Sequence, residues 1–448
     1  MQGQRETAEL DDAVGAQWDG ERLPRVVFIS VNPFSSTSNN GKTFASFFEG
    51  YPSDSIAQLY FHREIPSSPV CDRYFRITDE ALLKDAIRPW RITGERVSAV
   101  STSWTPIPLK IHTALKGSYT ARLLRQLLWT GVRLENPELL AWLDDFGPEI
   151  VFFCGGDAAS LYRKVTALAD RYGAKLLFYI TDDYVLPTRS RNMSARAIRW
   201  WTRREFIRLT ARADLVLTIG DGMSSTYERE FGIVSVPIMN MVPVPQVQPA
   251  PRFRLNPSEP FTLLYAGSLH SNRGKVLTRI ADRVQHLVQC GIPIRMKIFG
   301  PEPTAEMHEA LDRPPYAQHG GLLSPSALNA AIAEADVLLH VEADDPASME
   351  VTALSVSTKI PEYLVSGRSI LAIGPRGIAS IDYLSSQRAA VVLEPSDTDG
   401  LDQALKSLAL DPALSRDLTN RAFALARANH DGPRTRRMLW DHLKRLLK

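Results

Sequence analysis

The sequence predicts an α/β protein made of two doubly wound parallel sheets laid one after the other. Three observations carry that prediction. Short apolar, β-branched runs alternate with helical patterns of about 10–15 residues, the rhythm of parallel strands joined by crossover helices. A proline-rich stretch then interrupts the rhythm, with seven prolines between residues 236 and 260. Beyond it the same alternation restarts, so each half has its own sheet. At 448 residues the chain is also too long for one ordinary core.

The first half reads as follows. "RVVFISVNPF" (25–34) is a short, fully buried strand. "SSTSNNGKTFASFFEGY" is a Ser/Asn/Gly loop entering a helix, "IAQLYFH" (56–62) the next strand, and "ALLKDAIR" (81–88) a short helix. A helical pattern, "YTARLLRQLLWTGV", starts at Tyr119. "PELLAWLDDFGPEIVFFCGGD" is helix, turn and strand, closed by the glycine pair at 155–156. "AASLYRKVTALADRYGAKLLFYITDDY" and "RAIRWWTRREFIRLTARADLVLTIGDGM" repeat that cycle.

Residues 241–260 form a linker stiffened by its prolines. After it come the strand "FTLLYAGSL", the helix "KVLTRIADRVQHLVQCG" and the strand "PIRMKIFG". "SPSALNAAIAEA" is a helix N-capped by Ser324, and "DVLLHVE" a strand. "STKIPEYLVSGRSILAIGP" is a helix and strand, and "AAVVLE" (389–394) the last strand. Three helices close the chain, the last being "GPRTRRMLWDHLKRLL".

Composition narrows the function. A hydrophobic content of 44% with 23% charged residues fits a globular protein. A net charge of +2 is too near neutral to argue for nucleic acid, and no nucleic-acid partner is expected. Cys71, Cys154 and Cys290 lie far apart, without a CxxC pair, so a zinc site or disulfide framework is not expected. The polar residues 1–24 read as a flexible leader without the apolar segment of a signal peptide. No apolar run reaches the roughly 18 residues of a membrane span. The expectation is a cytoplasmic chain that at most lies on a membrane.

Open parallel sheets bind ligands beyond the carboxyl ends of their strands, and two facing sheets make a cleft there. In the second half, Gly267, Ser268, Arg273 and Lys275 follow the first strand, and Gly300 follows the next. Ser357, Thr358 and Lys359 precede a helix carrying Glu362. Glycines admit close backbone approach, Arg and Lys add charge-assisted contacts to phosphate, and a carboxylate accepts from ribose hydroxyls. Together these residues describe a nucleoside-diphosphate site. Lys359 and Glu362 are also spaced to pair with each other along one helix face. In the first half, Asp182 and Asp183 follow a strand end and are candidates for a general base; the alternative for both is a turn or helix cap. His270 and His340 also stand at strand or loop ends, where a packed histidine is the commoner case.

These residues bring out a family resemblance. "LLYAGSLHSNRGK" and "STKIPEYLVSGRSILAIGP" resemble the donor-binding domain of GT-B glycosyltransferases of the retaining, family-4 type. "ARADLVLTIGDGMSSTYEREFG" and "PIMNMVPVP" are similar to segments of that family's first domain. The resemblance implies two Rossmann-like domains facing across a cleft: an acceptor-side domain over 25–240 and a donor-binding domain over 261–425, with a terminal helix, 426–448, crossing back. It implies that Arg273 and Lys275 hold the donor pyrophosphate, with Ser357, Thr358 and Lys359 along the same phosphates and Glu362 on the ribose. Asn40 and Gly41, in "NNGK", stand where that family's Gly-rich loop meets diphosphate and acceptor. The family's E-x7-E pattern has a further acidic residue where this chain has Leu354; Asp344, Asp345 and Glu350 are the nearby replacements.

The implied activity is transfer of a sugar from a nucleoside-diphosphate sugar to a hydroxyl acceptor: a glycan, a lipid-linked sugar or a small molecule. It would be retaining and need neither metal nor cofactor, because Arg and Lys neutralise the diphosphate. A nucleotide-sugar epimerase or hydrolase, or a non-catalytic binding protein, are the rival readings. Two basic stretches with tryptophan, 108–129 and 189–212, suit an anionic membrane surface, although solvated arginines over a core give the same pattern.

Overall fold

The computed structural model describes residues 22–36, 39–87, 94–98, 119–131, 134, 136–252, 259–269 and 272–448. The first sheet has eight strands: β1 (Val26–Ser30), β2 (Ile56–Tyr60), β3 (Arg73–Arg76), β4 (Glu95–Val97), β5 (Ile150–Cys154), β6 (Lys175–Ile180), β7 (Leu215–Thr218) and β8 (Val236–Pro237). Their order is β4-β3-β2-β1-β5-β6-β7-β8. The second has six: β9 (Phe261–Ala266), β10 (Ile294–Phe299), β11 (Ala317–His319), β12 (Val337–Val341), β13 (Ser369–Ile373) and β14 (Val391–Leu393), in the order β11-β10-β9-β12-β13-β14. The fold is thus α/β with two doubly wound sheets. The winding reverses between β1 and β5 in one and between β9 and β12 in the other, the places where such sheets open a crevice.

The strands formed where apolar runs were continuous, because helices cover both faces. Every residue of β1, β2, β5, β12 and β13 is buried. Side chains alternate between the faces: Val27 and Ile29 join Trp142, Tyr162 and Val165 on one side, while Val26 and Phe28 join an aromatic core of Phe34, Phe44, Phe48 and Phe152 on the other. Within that core the Phe28 ring lies 4.9 Å from Phe152 and 5.1 Å from Phe44.

Several elements differ from the sequence expectation. The strands β3, β4, β8 and β11 and the helix Ala305–Leu311 were not anticipated. All four strands are short, and β3, "RYFR", has an arginine at each end. β4 runs antiparallel to β3, so the first sheet is not purely parallel. Asn39, Asn40 and Gly41, read as a loop, are the first turn of the helix Asn39–Ser46.

The chain passes between the halves twice, once through 238–260 and once near His430. The two passages touch: Val242 N donates to His430 O at 2.9 Å, and Gly432 N to Val242 O at 3.2 Å. The last helix, Gly432–Arg445, returns to the first sheet and buries Leu439, Trp440 and Leu443 in its aromatic core. Trp440 Nε1 donates to Phe47 O at 2.9 Å, and Arg436 pairs with Glu49 at 2.6 Å.

Candidate active site

Carboxyl ends of both sheets face one cleft of about 240 Å³. From the second half, β9 leads to Ser268 and to Arg273, the first residue of the helix Arg273–Gln289; β12 contributes His340 and leads directly to Glu342. Arg273 donates to Glu342 Oε2 from Nη2 at 2.7 Å and from Nε at 3.2 Å. Glu342 is only 2% exposed, and His340 Nε2 lies 3.3 Å from its Oε1, at an angle that leaves this nitrogen without a hydrogen bond. Burial alone would raise the Glu342 carboxyl, but His340 and Arg273 outweigh it and hold the group below the usual carboxylate range.

Lys359 is the second cation. It is the N-cap residue of the helix Ile360–Leu364, with Ser357 and Thr358 beside it on the cleft wall. Its ammonium stands 5.7 Å from the centre of the Tyr265 ring, and among the described residues no oxygen accepts from it. Burial first, then the positive charge of Arg273, lower it to about 8. Gly267 and Gly300 make this wall possible. A Cβ on Gly267 would strike the Lys359 ammonium, and one on Gly300 would strike the Gly267 carbonyl oxygen.

From the first half come Asn40, Thr43, Thr181, Asp182 and Asn240. Thr43 Oγ1 donates to Asn240 Oδ1 at 3.1 Å. Asn240 is 4% exposed, and its Nδ2 finds no acceptor among the described residues. A buried amide without a partner is costly, so a donor aimed into a cleft suits an oxygen-rich ligand. Asp182 Oδ1 accepts from Ser355 Oγ at 2.7 Å, a bond that joins the two halves across the cleft floor.

The structure therefore gathers Asn40, Asp182, Ser268, Arg273, Ser357, Thr358 and Lys359 of the residues picked from sequence. Gly267 and Gly300 stand just behind that wall, and Gly41 is buried where a Cβ would strike Pro33 O and Ser35. Others lie elsewhere. Asp183 is no candidate base: it is 4% exposed, its Oδ1 accepts from Val185 N and Leu186 N, each at 3.1 Å, and from Tyr227 Oη at 2.8 Å, and its Oδ2 pairs with Arg199. Lys275 is exposed and does not line the cleft. Two residues apart on a helix point to opposite sides, so turning Arg273 inward turns Lys275 out. Glu362 does not pair with Lys359 but with Lys42 of the first half, at 2.8 Å. His270 lies outside the described residues.

The acidic replacements proposed for Leu354 are also engaged. Asp344 pairs with Arg279 at 2.6 Å; Asp345 caps the helix Pro346–Thr352 and accepts from Asn272 Nδ2 at 2.8 Å; Glu350 accepts from Arg189 N at 2.8 Å. Leu354 itself packs against the first half's core. From the second half, the carboxylate that lines the cleft is Glu342, outside the motif spacing. Its signal was the strand itself: an acidic residue immediately after a buried run falls at the mouth. Asn240, also missed, had a comparable signal as a lone amide in the apolar "PIMNMV".

The whole architecture has counterparts among solved structures. Anabaena HepE in complex with UDP superposes with a TM-score of 0.59 at 12% identity, covering 94% of this chain and 99% of that one. Sucrose-phosphate synthase from Thermosynechococcus elongatus gives 0.58 at 14% identity, covering 95% and 99%. The α,α-trehalose 6-phosphate synthase of Burkholderia multivorans gives 0.56 at 9% identity, covering 95% and 97%. The fold is GT-B. No protein-family model and no curated protein sequence matches the chain. Within the GT-B frame, the cleft lies where the two sheets' crevices meet, and Arg273, Lys359, Asn40 and Asn240 are among the polar residues that line it.

Proposed function

We propose that this GT-B protein is a glycosyltransferase moving a sugar from a nucleoside-diphosphate sugar to a hydroxyl acceptor, with retention and without a metal ion or other cofactor. The observation that carries the reading is the placement of two cations, Arg273 and Lys359, at the carboxyl ends of the second sheet, opposite Asn40, Thr43 and Asn240. Charge grows on the diphosphate as the sugar–oxygen bond breaks, so fixed positive groups there stabilise departure. Ser357 and Thr358 line the phosphates, Glu342 faces the sugar, and Asp182 is placed to take the acceptor proton. That HepE was crystallised with UDP, with UDP and glucose, and with UDP-glucose favours a uridine donor among the nucleotides to test.

The acceptor is a hydroxyl compound, and a lipid-linked sugar fits one exposed face. Leu124 and Leu127 of the helix Tyr119–Thr130 are 62% and 52% exposed, and Trp200 of the adjacent helix Met193–Arg212 is 64% exposed, with Arg204 against its ring at 5.7 Å. Aromatic and aliphatic groups flanked by arginine suit an anionic membrane surface. Many arginines of the two basic stretches are otherwise engaged: Arg122 with Asp157, Arg125 with Asp79, Arg199 with Asp183 and Arg212 with Asp170. Lys110 and Lys116 lie outside the described residues. No described helix is long and apolar enough to cross a membrane.

The test is calorimetric titration with UDP, GDP, ADP and their sugars, followed by turnover of the sugar that binds, with and without candidate acceptors. Binding that Lys359→Met weakens at least tenfold supports the site. Donor consumption equal with and without any acceptor favours a hydrolase or epimerase, and tight binding without turnover favours a non-catalytic protein. Failure of every nucleotide to bind overturns the reading.

A further inference from the structure

We propose that the edge of the second sheet carries a divalent-metal site of the zinc type, formed by Glu302, His308 and His319. The three residues come from consecutive segments. Glu302 follows β10 in "PEP", His308 sits on the helix Ala305–Leu311, and His319 ends β11. One ligand atom from each lies within 4.8 Å of the other two. His308 Nε2 is 3.9 Å from Glu302 Oε1, and the two imidazole rings are 5.9 Å apart and inclined at 66°, meeting edge to face. The rings do not stack.

His319 separates this cluster from an ordinary solvated face. Its Nε2 is buried and has no hydrogen-bond partner among the described residues. An imidazole nitrogen withdrawn from water and left unpaired is a vacancy for either a proton donor or a metal ion. With a ligand atom of Glu302 and one of His308 within 4.8 Å of one on His319, a single ion could engage all three. Two imidazoles and a carboxylate, with a fourth position open to water, are the ligand set of zinc and of neighbouring transition metals, not of calcium or magnesium. Metal–ligand bonds of about 2.0–2.2 Å place tetrahedral ligands roughly 3.3–3.5 Å apart, so the cluster must contract by about 1 Å. Glu302 and His308 have the freedom to do so, with side chains 73% and 42% exposed.

The surroundings are organised for the same end. Asp312 Oδ1 accepts from the backbone N of His319 at 3.2 Å, which fixes the main chain there, and its Oδ2 lies 4.0 Å from His308 Nε2, so the Asp312 carboxylate adds negative charge beside the three candidate ligands. Prolines on either side of Glu302 fix φ at 301 and 303 and limit what the loop loses on ordering. Thr304 caps the helix that bears His308 by accepting from Met307 N at 3.4 Å. None of the three candidate ligands lines the cleft. The inference therefore stands apart from sugar transfer, although an ion here would tether the loop that begins at Gly300, the glycine behind the Lys359 wall. Cysteine spacing, which argued against zinc, has no bearing on a cysteine-free site.

The experiment uses the full chain, stripped with a chelator and desalted, then titrated with zinc chloride by calorimetry and with cobalt chloride by visible absorption. Wild type should take one equivalent and develop the d–d bands of a cobalt site with nitrogen and oxygen ligands. His308→Gln/His319→Gln should lose affinity by about 100-fold or more, and Asp312→Asn by about 10-fold, with far-UV circular dichroism unchanged. Should the double variant misfold, His308→Gln alone, at a half-exposed position, carries the same test. Cys290→Ser is the control, because Cys290 Sγ lies 3.8 Å from His286 Nε2 and offers a competing pair. No stoichiometric uptake by wild type, wild-type affinity in the histidine variants, or loss of the equivalent in Cys290→Ser would each overturn the proposal.

Discussion

Lys42 and Glu362 join the two halves of the chain, Nζ to Oε1 at 2.8 Å, each next to a residue that lines the cleft. Both are substantially exposed, so the pair stabilises the fold by no more than about 1 kcal/mol. Its importance is positional, because Lys42 occupies the carboxylate that the family resemblance assigns to the donor ribose. Glu362→Ala should lower nucleoside-diphosphate affinity about tenfold while thermal unfolding barely moves. Lys42→Ala, which removes a competitor and no ligand group, should leave affinity equal or higher. A fall in Lys42→Ala matching that in Glu362→Ala would show instead that Lys42 itself binds the nucleotide.

Arg273 and Glu342 give a different expectation, since Glu342 is almost fully enclosed. Arg273→Ala strands a buried carboxylate, and loss of such a partner costs about 3–5 kcal/mol. Arg273→Ala/Glu342→Gln removes the stranded charge and should recover most of that loss. Chemical denaturation of the two single variants and the double variant closes the cycle. Equal destabilisation in Arg273→Ala and the double variant would show that packing, not charge, is at stake.

Lys359 makes anion binding pH-dependent. In the empty cleft its ammonium titrates near 8, lowered by burial and by Arg273, and an added diphosphate favours the protonated form. Affinity for a nucleoside diphosphate should therefore hold below pH 8 and fall as pH rises through it, by up to about tenfold per pH unit. Lys359→Arg should flatten this limb, because a guanidinium stays charged. A slope unchanged in Lys359→Arg would place the titrating group elsewhere.

His430 links stability to acid. It is fully buried, and burial, partly offset by a bond to the Asn240 carbonyl, lowers it to about 4. The ring is thus neutral, with Nδ1–H donating to Asn240 O at 2.7 Å and Nε2 accepting from Tyr383 Oη at 2.9 Å. The folded value lies below the ordinary 6.5, so the unfolded chain binds the proton first and stability is lost as pH falls from about 6.5 toward 4. The loss amounts to roughly 3 kcal/mol across that window. Denaturation midpoints of wild type and His430→Gln between pH 4 and 7 should show a steeper acid limb in wild type.

Much of the fold was legible because parallel strands covered on both faces leave continuous apolar runs, as in "VVFIS", "IVFFC", "VLLHV" and "SILAI". Strands β4 and β11 escaped because edge strands are short and carry polar residues, and β3, one place in from the edge, because an arginine stands at each end of its four residues, so neither period nor apolarity marks them. In the site, the rule that ligands gather beyond strand ends located Ser268, Arg273, Asp182 and Lys359. It could not separate neighbours along the chain: Arg273 from Lys275 across a helix, or Asp182 from Asp183, where one carboxylate faces the cleft and the other is enclosed by Arg199 and Tyr227. Glu342 was not legible because the family's motif spacing points eight residues before Glu362, at Leu354, while the strand end that supplies a cleft carboxylate lies further upstream.

The contact between the two crossing passages, Val242 against His430 and Gly432, constrains how this molecule moves. A lone tether would let one body swivel freely on the other, in any direction. Two tethers laced together leave a single soft degree of freedom, a swing about the line they share, and resist twist and slide. Opening and shutting should then follow one arc, along which Asp182–Ser355 and Lys42–Glu362 part together.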